Sequence, residues 1–126
     1  MDPGHFKEGI RLFNRGAFFD AHEVLEEVWR VAPETERKFL QGLIQVAVAL
    51  HHHSRGNVVG ARSLLARASR NLSGYPEEFG GIRLVQLRSS LDHWHSCLTE
   101  GRPVPPTPQI EPCVQNPGRP RPERKC

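Results

Sequence analysis

The two residues best suited to catalysis or metal binding are His22 and Glu26, which lie four positions apart in the segment FFDAHEVLEEVW. Residues at this spacing share one face of a helix. On a helical wheel the apolar face of this segment is formed by Phe18, Leu25 and Trp29. His22 lies beside this face, and Glu26 lies at its edge. Because burying an imidazole without a hydrogen-bond partner is costly, the segment predicts a polar cluster centred on His22.

A second polar stripe runs along the apolar segment FLQGLIQVAVALHHHS. Gln41, Gln45 and His52 fall on one helical face. Two glutamines on a largely apolar helix destabilise it unless they are hydrogen-bonded. Antiparallel packing across the short turn between the two segments predicts that this stripe faces His22. The expected site then holds two histidines, two glutamines and one or two carboxylates, with Glu23 as the alternative carboxylate.

Three interpretations of this cluster are open, and they include both enzymes and non-enzymes. In the first, the side chains satisfy one another and fix the register of the helices. In the second, His22, Glu26 and His52 hold a divalent metal that polarises a water molecule for hydrolysis. In the third, the cluster is a pocket for a small-molecule ligand, in which His22 works with Glu23 or Glu26 as acid and base without metal.

The elements that must position this cluster are predicted to be helices throughout. Apolar residues recur with helical spacing in five segments, which are separated by Gly and Pro signals. The expected ranges are 2–14, 17–32, 34–54, 57–72 and 77–100. No segment alternates apolar and polar residues as a half-buried strand would. The sequence therefore predicts an all-α fold, a compact bundle of about five helices.

A weak internal repeat relates RGAFFDAHEVL (15–25) to RGNVVGARSLL (55–65) at an offset of 40 residues. The shared Gly turns the chain, and the shared small Ala permits close helix crossing. Each copy is predicted to be a helical hairpin. His22 and Glu26 have no counterpart of the same type in the second copy. Hairpin packing therefore does not require these two polar residues.

The C-terminal segment 101–126 contains eight of the eleven prolines and no aromatic residue. Such a composition offers little apolar surface to offset the entropy of folding. We therefore expect an all-helical domain over 1–100 and a disordered, basic tail over 101–126.

Charge and hydropathy restrict the partners and the location. Residues 1–100 hold 12 Lys or Arg and 12 Asp or Glu, so the excess positive charge lies in the tail. This makes nucleic acid an unlikely partner, since binding to phosphates needs a basic face on a fixed surface. No apolar run approaches the roughly 18 residues that span a bilayer, and the N-terminal residues lack the pattern of a signal peptide. These features predict no membrane association and a cytoplasmic location.

The blocks FNRGAFFDAHEVLEEVWR, FLQGLIQVAVALHHHSRGN and GARSLLARA together resemble one family, the small helical proteins called domain of unknown function 309. The resemblance implies an all-helical bundle with some likeness to tetratricopeptide-type hairpins and with metal-dependent hydrolase character. It adds Trp29 and Asn57 as ligand-binding residues. The family usually has Glu where this chain has Asp20. The site residues that the resemblance carries over are His22, Glu23, Glu26, Trp29, Gln41, Gln45, His52 and Asn57.

The competing function is an interaction module, in which paired hairpins bind a peptide or a second copy of the chain. Two hairpins are few for a repeat protein, where about three or more repeats are usual. Formation of a homo-oligomer would supply the missing surface. In the pair Phe18 and Phe19, the helical wheel leaves Phe19 off the main apolar face. Phe19 is therefore the predicted contact residue for self-association.

Overall fold

The computed structural model describes residues 2–113, which form five helices and one short hairpin of two strands. The elements in chain order are α1 (Pro3–Asn14), α2 (Phe18–Arg30), α3 (Glu34–Ser54), α4 (Val58–Leu72), β1 (Glu78–Phe79), β2 (Ile82–Arg83) and α5 (Leu84–Glu100). The predicted all-α bundle of five helices is confirmed. None of the helices within the described residues is long and apolar enough to cross a membrane.

The first helix begins where the sequence places its capping residue. The Asp2 carboxylate accepts hydrogen bonds from the backbone N–H groups of Gly4 and His5, at 3.0 and 3.2 Å. Pro3 occupies the first helical position, where its missing N–H costs nothing.

The turns at Gly16 and Gly56 share one backbone geometry, as the internal repeat predicts. Their φ angles are +83° and +81°, a region that glycine enters without strain. In each turn the next residue, Ala17 or Asn57, donates its backbone N–H to the carbonyl five positions earlier, at 2.9 Å. This bond satisfies a carbonyl that the end of the helix would otherwise leave unpaired.

The helices pack in chain order, each one mainly against the next. Equivalent positions of the repeat are buried, Ala21 with Ala61 and Leu25 with Leu65. The central helix, α3, lies between α2 and α4. It approaches α4 closely at Gly42, where a methyl group would lie 2.7 Å from a methyl carbon of Leu72.

The last helix begins at Leu84 rather than at Glu77, where the sequence predicts its start. The residues before it form the antiparallel hairpin β1–β2, within a range that the sequence predicts to be helical. Gly80 and Gly81 make the turn with φ angles of +61° and +79°. Two consecutive positive φ angles are the requirement of a type I′ hairpin turn, and they prevent the helix from starting earlier.

Residues 101–113, which we call the C-terminal strap, lie against the helices although the sequence predicts disorder from residue 101. Ile110 is buried, and Trp94 donates its indole N–H to the carbonyl of Pro106 at 3.1 Å. The prolines lower the entropy cost of ordering this segment, because each one already restricts φ in the unfolded chain. The rest of the predicted tail, residues 114–126, lies outside the described residues.

Candidate functional site

The polar pair that the sequence predicts on α2 is formed. The His22 Nε2 atom lies 3.0 Å from the Glu26 Oε2 atom, and its Nδ1 atom lies 3.3 Å from the backbone carbonyl of Phe19. Arg30 donates to the other Glu26 oxygen at 3.3 Å. The His22 side chain is 23% exposed and that of Glu26 is 40% exposed. The pair therefore lies at the edge of the bundle, within reach of solvent.

When Glu26 is ionised, both ring nitrogens of His22 face groups that accept hydrogen bonds and cannot donate them. The two contacts are hydrogen bonds together only when the ring carries a proton on each nitrogen. In that form His22 has no lone pair with which to bind a metal or to remove a proton. A role as a metal ligand or as a general base requires His22 to leave one of these contacts.

Four aromatic rings form a row across the ends of α2 and α3, which we call the ring row. The Phe19 ring lies between those of His22 and His51, with centroid separations of 5.5 and 5.4 Å. The His52 ring follows at 6.3 Å from that of His51. Phe19 is 51% exposed, as expected for a residue off the main apolar face. The row places an accessible phenyl group between two imidazoles.

The predicted stripe on α3 faces α4 rather than the polar pair on α2. Gln45 accepts a hydrogen bond from the Asn71 side chain of α4 at 2.8 Å. The His52 Nδ1 atom lies 3.4 Å from the side-chain nitrogen of Asn57, whose oxygen in turn caps the start of α4. Gln41 is exposed. The structure thus brings His22 together with Glu26 but not with the glutamines.

The histidine of α3 that contacts α2 is His51, whereas the sequence predicted its neighbour His52. A helical wheel shows why His51 is the one that faces α2. At about 100° per residue, position 51 lies opposite Gly42, the residue that approaches α4. His51 must then point towards the helix on the other side of α3, which is α2.

The other predicted site residues lie apart from this pair. Glu23 is exposed and forms no ion pair with any residue in 2–113. Trp29 lies near the opposite end of α2, where the Arg37 guanidinium covers its ring at 4.1 Å. The Trp29 indole nitrogen is buried and finds no hydrogen-bond partner among the described residues. Trp29 therefore belongs to the α2–α3 contact near the Pro33 turn.

The predicted metal ligands are not gathered into one group. Within the described part of the chain, no three or more His, Cys, Asp or Glu side chains are close enough to hold a metal ion. His22 and Glu26 supply two ligands, whereas a catalytic zinc site usually has three from the protein. The third predicted ligand, His52, lies on the side of α3 that faces α4. Metal binding by this set stays a prediction.

Comparisons with known proteins confirm the resemblance and add no activity. Residues 6–64 match the model of the family described as "Domain of unknown function (DUF309)". An uncharacterized protein of Aquifex aeolicus (strain VF5) is 37% identical over 87 residues, which are 68% of this chain and 26% of that protein. The uncharacterized protein YpuF of Bacillus subtilis (strain 168) is 48% identical over 56 residues, 44% of this chain and 32% of that protein. The chain therefore matches only about a quarter to a third of these relatives.

Proposed function

We propose that the chain, whose residues 6–64 match the DUF309 family model, is a self-association module that binds a second copy of itself through the ring row. The observation that carries the proposal is the exposure of Phe19, a residue that is 51% exposed between the rings of His22 and His51. Aromatic side chains are enriched at the centres of protein interfaces, where a few of them supply most of the binding energy.

The charges around Phe19 favour a second copy over an unrelated partner. On the α2 side, Asp20 and Glu23 are exposed and form no ion pair with a described residue. On the α3 side of Phe19, Arg55 is exposed just after the end of α3. In a two-fold symmetric dimer each surface meets its own copy, so the acidic edge of one chain faces the basic edge of the other. A surface with both signs around an apolar centre is complementary to itself.

The internal repeat extends this apolar surface. Val59 occupies the position of Phe19 in the second copy of the repeat and is 69% exposed. Because α2 and α4 both begin at the end of the bundle where α3 stops, Phe19 and Val59 lie at the same end. Self-association there would supply the neighbouring surface that two hairpins lack.

Sedimentation velocity over a concentration series tests the proposal. We expect a reversible dimer whose dissociation constant rises at least about tenfold in Phe19→Ser, since loss of a central aromatic contact costs about 2 kcal/mol or more. Val31→Ser is the matched control, because Val31 is an exposed apolar residue at the far end of α2. A wild-type protein that stays monomeric, or equal effects of the two substitutions, would refute the proposal.

A charge exchange tests the orientation of the dimer. Asp20→Arg and Arg55→Asp should each weaken dimerisation, because each places like charges opposite one another. The double variant should recover most of the lost affinity, since it restores opposite signs across the interface. A double variant weaker than either single one would exclude the two-fold arrangement.

Divalent-metal binding is a second candidate, favoured by the separation of the His22 Nε2 and Glu26 Oε2 atoms. Two donors 3.0 Å apart are both within reach of one ion at about 2.1 Å. Elemental analysis of untagged protein, before and after addition of zinc, manganese or iron, tests it. Near-stoichiometric metal that is lost in His22→Ala with helicity retained would support this candidate. No metal in either protein, with the variant less stable, would assign the pair to hydrogen bonding alone.

A further inference from the structure

A cavity of about 440 Å³ lies beside α1, on the face of this helix that is turned away from α2. Its walls are α1, the turn between β1 and β2, and the C-terminal strap. The volume lies within the range of about 300–1,000 Å³ that is typical of small-molecule sites. None of the residues of the ring row or of the polar pair lines this cavity.

The interior of the cavity is apolar. Phe6, Ile82 and Ile110 contribute buried side chains, and Ile10 adds a partly buried one. Among the described lining residues, Asn14 has the one uncharged polar side chain, and both ends of its amide are already bonded to the backbone of Ile110. The described side chains of the cavity therefore suit an aliphatic group and offer no free amide or hydroxyl group to a sugar or a nucleobase.

The rim of the cavity is positively charged. Among residues 2–113, Lys7 and Arg11 line it, and no Asp or Glu does. Arg11 is paired with Glu8, donating from its Nε atom at 3.1 Å, and the bond lowers the pKa of that carboxyl group. Lys7 forms no hydrogen bond or ion pair with any residue in 2–113. One uncompensated cation thus stands beside the apolar interior.

The walls are held in place before any ligand arrives. The strap is fixed to α1 by two hydrogen bonds between Asn14 and Ile110, at 2.9 and 2.8 Å. It is also fixed to the hairpin, because the Arg83 N–H donates to the carbonyl of Glu111 at 2.8 Å. A preformed site binds more tightly, because less ordering is needed on binding.

We propose that this cavity binds a medium-chain aliphatic monocarboxylate, with its tail on Ile10, Ile82 and Ile110 and its carboxylate at the Lys7 ammonium group. The single uncompensated charge suits a monoanion, and the apolar walls suit a hydrocarbon tail. This site is separate from the ring row and does not depend on self-association.

Methyl NMR of the isoleucines gives a direct test with a control inside the protein. The chain has four isoleucines, of which Ile10, Ile82 and Ile110 line the cavity and Ile44 does not. Titration of the full chain with decanoate below its micelle concentration should shift the three lining methyl signals in a saturable way and leave that of Ile44 in place. No shift at millimolar ligand, or equal shifts of all four signals, would overturn the proposal.

A comparison of affinities for carboxylates of increasing chain length tests whether the tail is buried in the cavity. Affinity should rise about fourfold for each added methylene from hexanoate onward, as expected for a buried CH₂ group, and should level off when the cavity is full. Affinity that does not depend on chain length would overturn binding of the tail in the cavity.

The carboxylate is tested by reversing charge at Lys7. Lys7→Glu should weaken decanoate binding by about three- to tenfold, the scale of a solvent-exposed ion pair and its reversal. Lys38→Glu makes the same change at an exposed position outside the cavity and should have no effect. Decanol, which lacks the carboxylate, should bind to the unmodified protein about as weakly as decanoate binds to Lys7→Glu. Equal binding of decanol and decanoate to the unmodified protein would refute the role of the cation.

Discussion

Replacing Asn14 with Ala should release the C-terminal strap at a cost that the structure allows to be worked out. The Asn14 side chain donates to the Ile110 carbonyl at 2.9 Å and accepts from the Ile110 N–H at 2.8 Å. With the strap still docked, the variant would leave two part-buried backbone groups without these partners, at about 1–3 kcal/mol each. With the strap released, it would lose the burial of the Ile110 side chain, about 1.5–3 kcal/mol. The variant adopts whichever of these two states costs less free energy. We therefore expect its free energy of unfolding to fall by about 2–3 kcal/mol.

Urea unfolding measures the loss of stability, and hydrogen exchange of the Ile110 amide shows whether the strap has been released. Gln109→Ala is the control, because Gln109 is an exposed neighbour whose side chain makes only a 3.4 Å contact with the backbone of Asn14. It should change stability by less than about 0.5 kcal/mol. The reasoning is refuted if Asn14→Ala is as stable as the wild type and still protects the Ile110 amide.

Three further changes test the packing and the charge of the helices. Gly42→Ala should destabilise the protein by about 1–2 kcal/mol in urea unfolding, because the steric overlap of the new methyl group with buried Leu72 costs more free energy than the higher helix propensity of alanine supplies. Gly4→Ala, where the added methyl group meets only an ordinary contact, should leave the unfolding midpoint unchanged or slightly raised. The pairing of Glu8 with Arg11 lowers the pKa of Glu8, so its stabilisation is present at neutral pH and is lost as the pH falls through that lowered value. Glu8→Gln should therefore show a smaller loss of stability than the wild type between pH 6 and pH 3.

The helices could be predicted from sequence because their ends carry local signals. Asp2 with Pro3 marks the start of α1, and the glycines at 16 and 56 end two helices by adopting positive φ angles. The strands were missed although Gly80 and Gly81 are a recognised hairpin signal. Strands of two residues are too short to show alternating hydrophobicity.

The strap could not be predicted from composition, because its order depends on contacts with distant parts of the chain. Pro108 and Ile110 are buried, and hydrogen bonds to Asn14, Arg83 and Trp94 fix this proline-rich segment. No local pattern in residues 101–113 reveals the partner that lies near the other end of the sequence.

The candidate site was predicted in part. The contact of His22 with Glu26 follows from spacing within one helix, and the exposure of Phe19 follows from the helical wheel. The wheel alone does not say which neighbour each face of α3 meets, and α3 has a helix on either side. The stripe of Gln45 and His52 was therefore assigned to α2 when it faces α4.

The packing of the helices in chain order has a consequence for how the protein folds. Because each helix contacts mainly the next one, most of the bundle assembles from contacts that are close in sequence and form quickly. The bonds between Asn14 and Ile110 are different, since they join residues 96 positions apart. Closing so long a loop is slow and costly in entropy until the helices between its ends are in place. During synthesis on a ribosome, α1 would pack against α2 early, but the cavity would gain the wall formed by the strap only after residues 101–113 emerge.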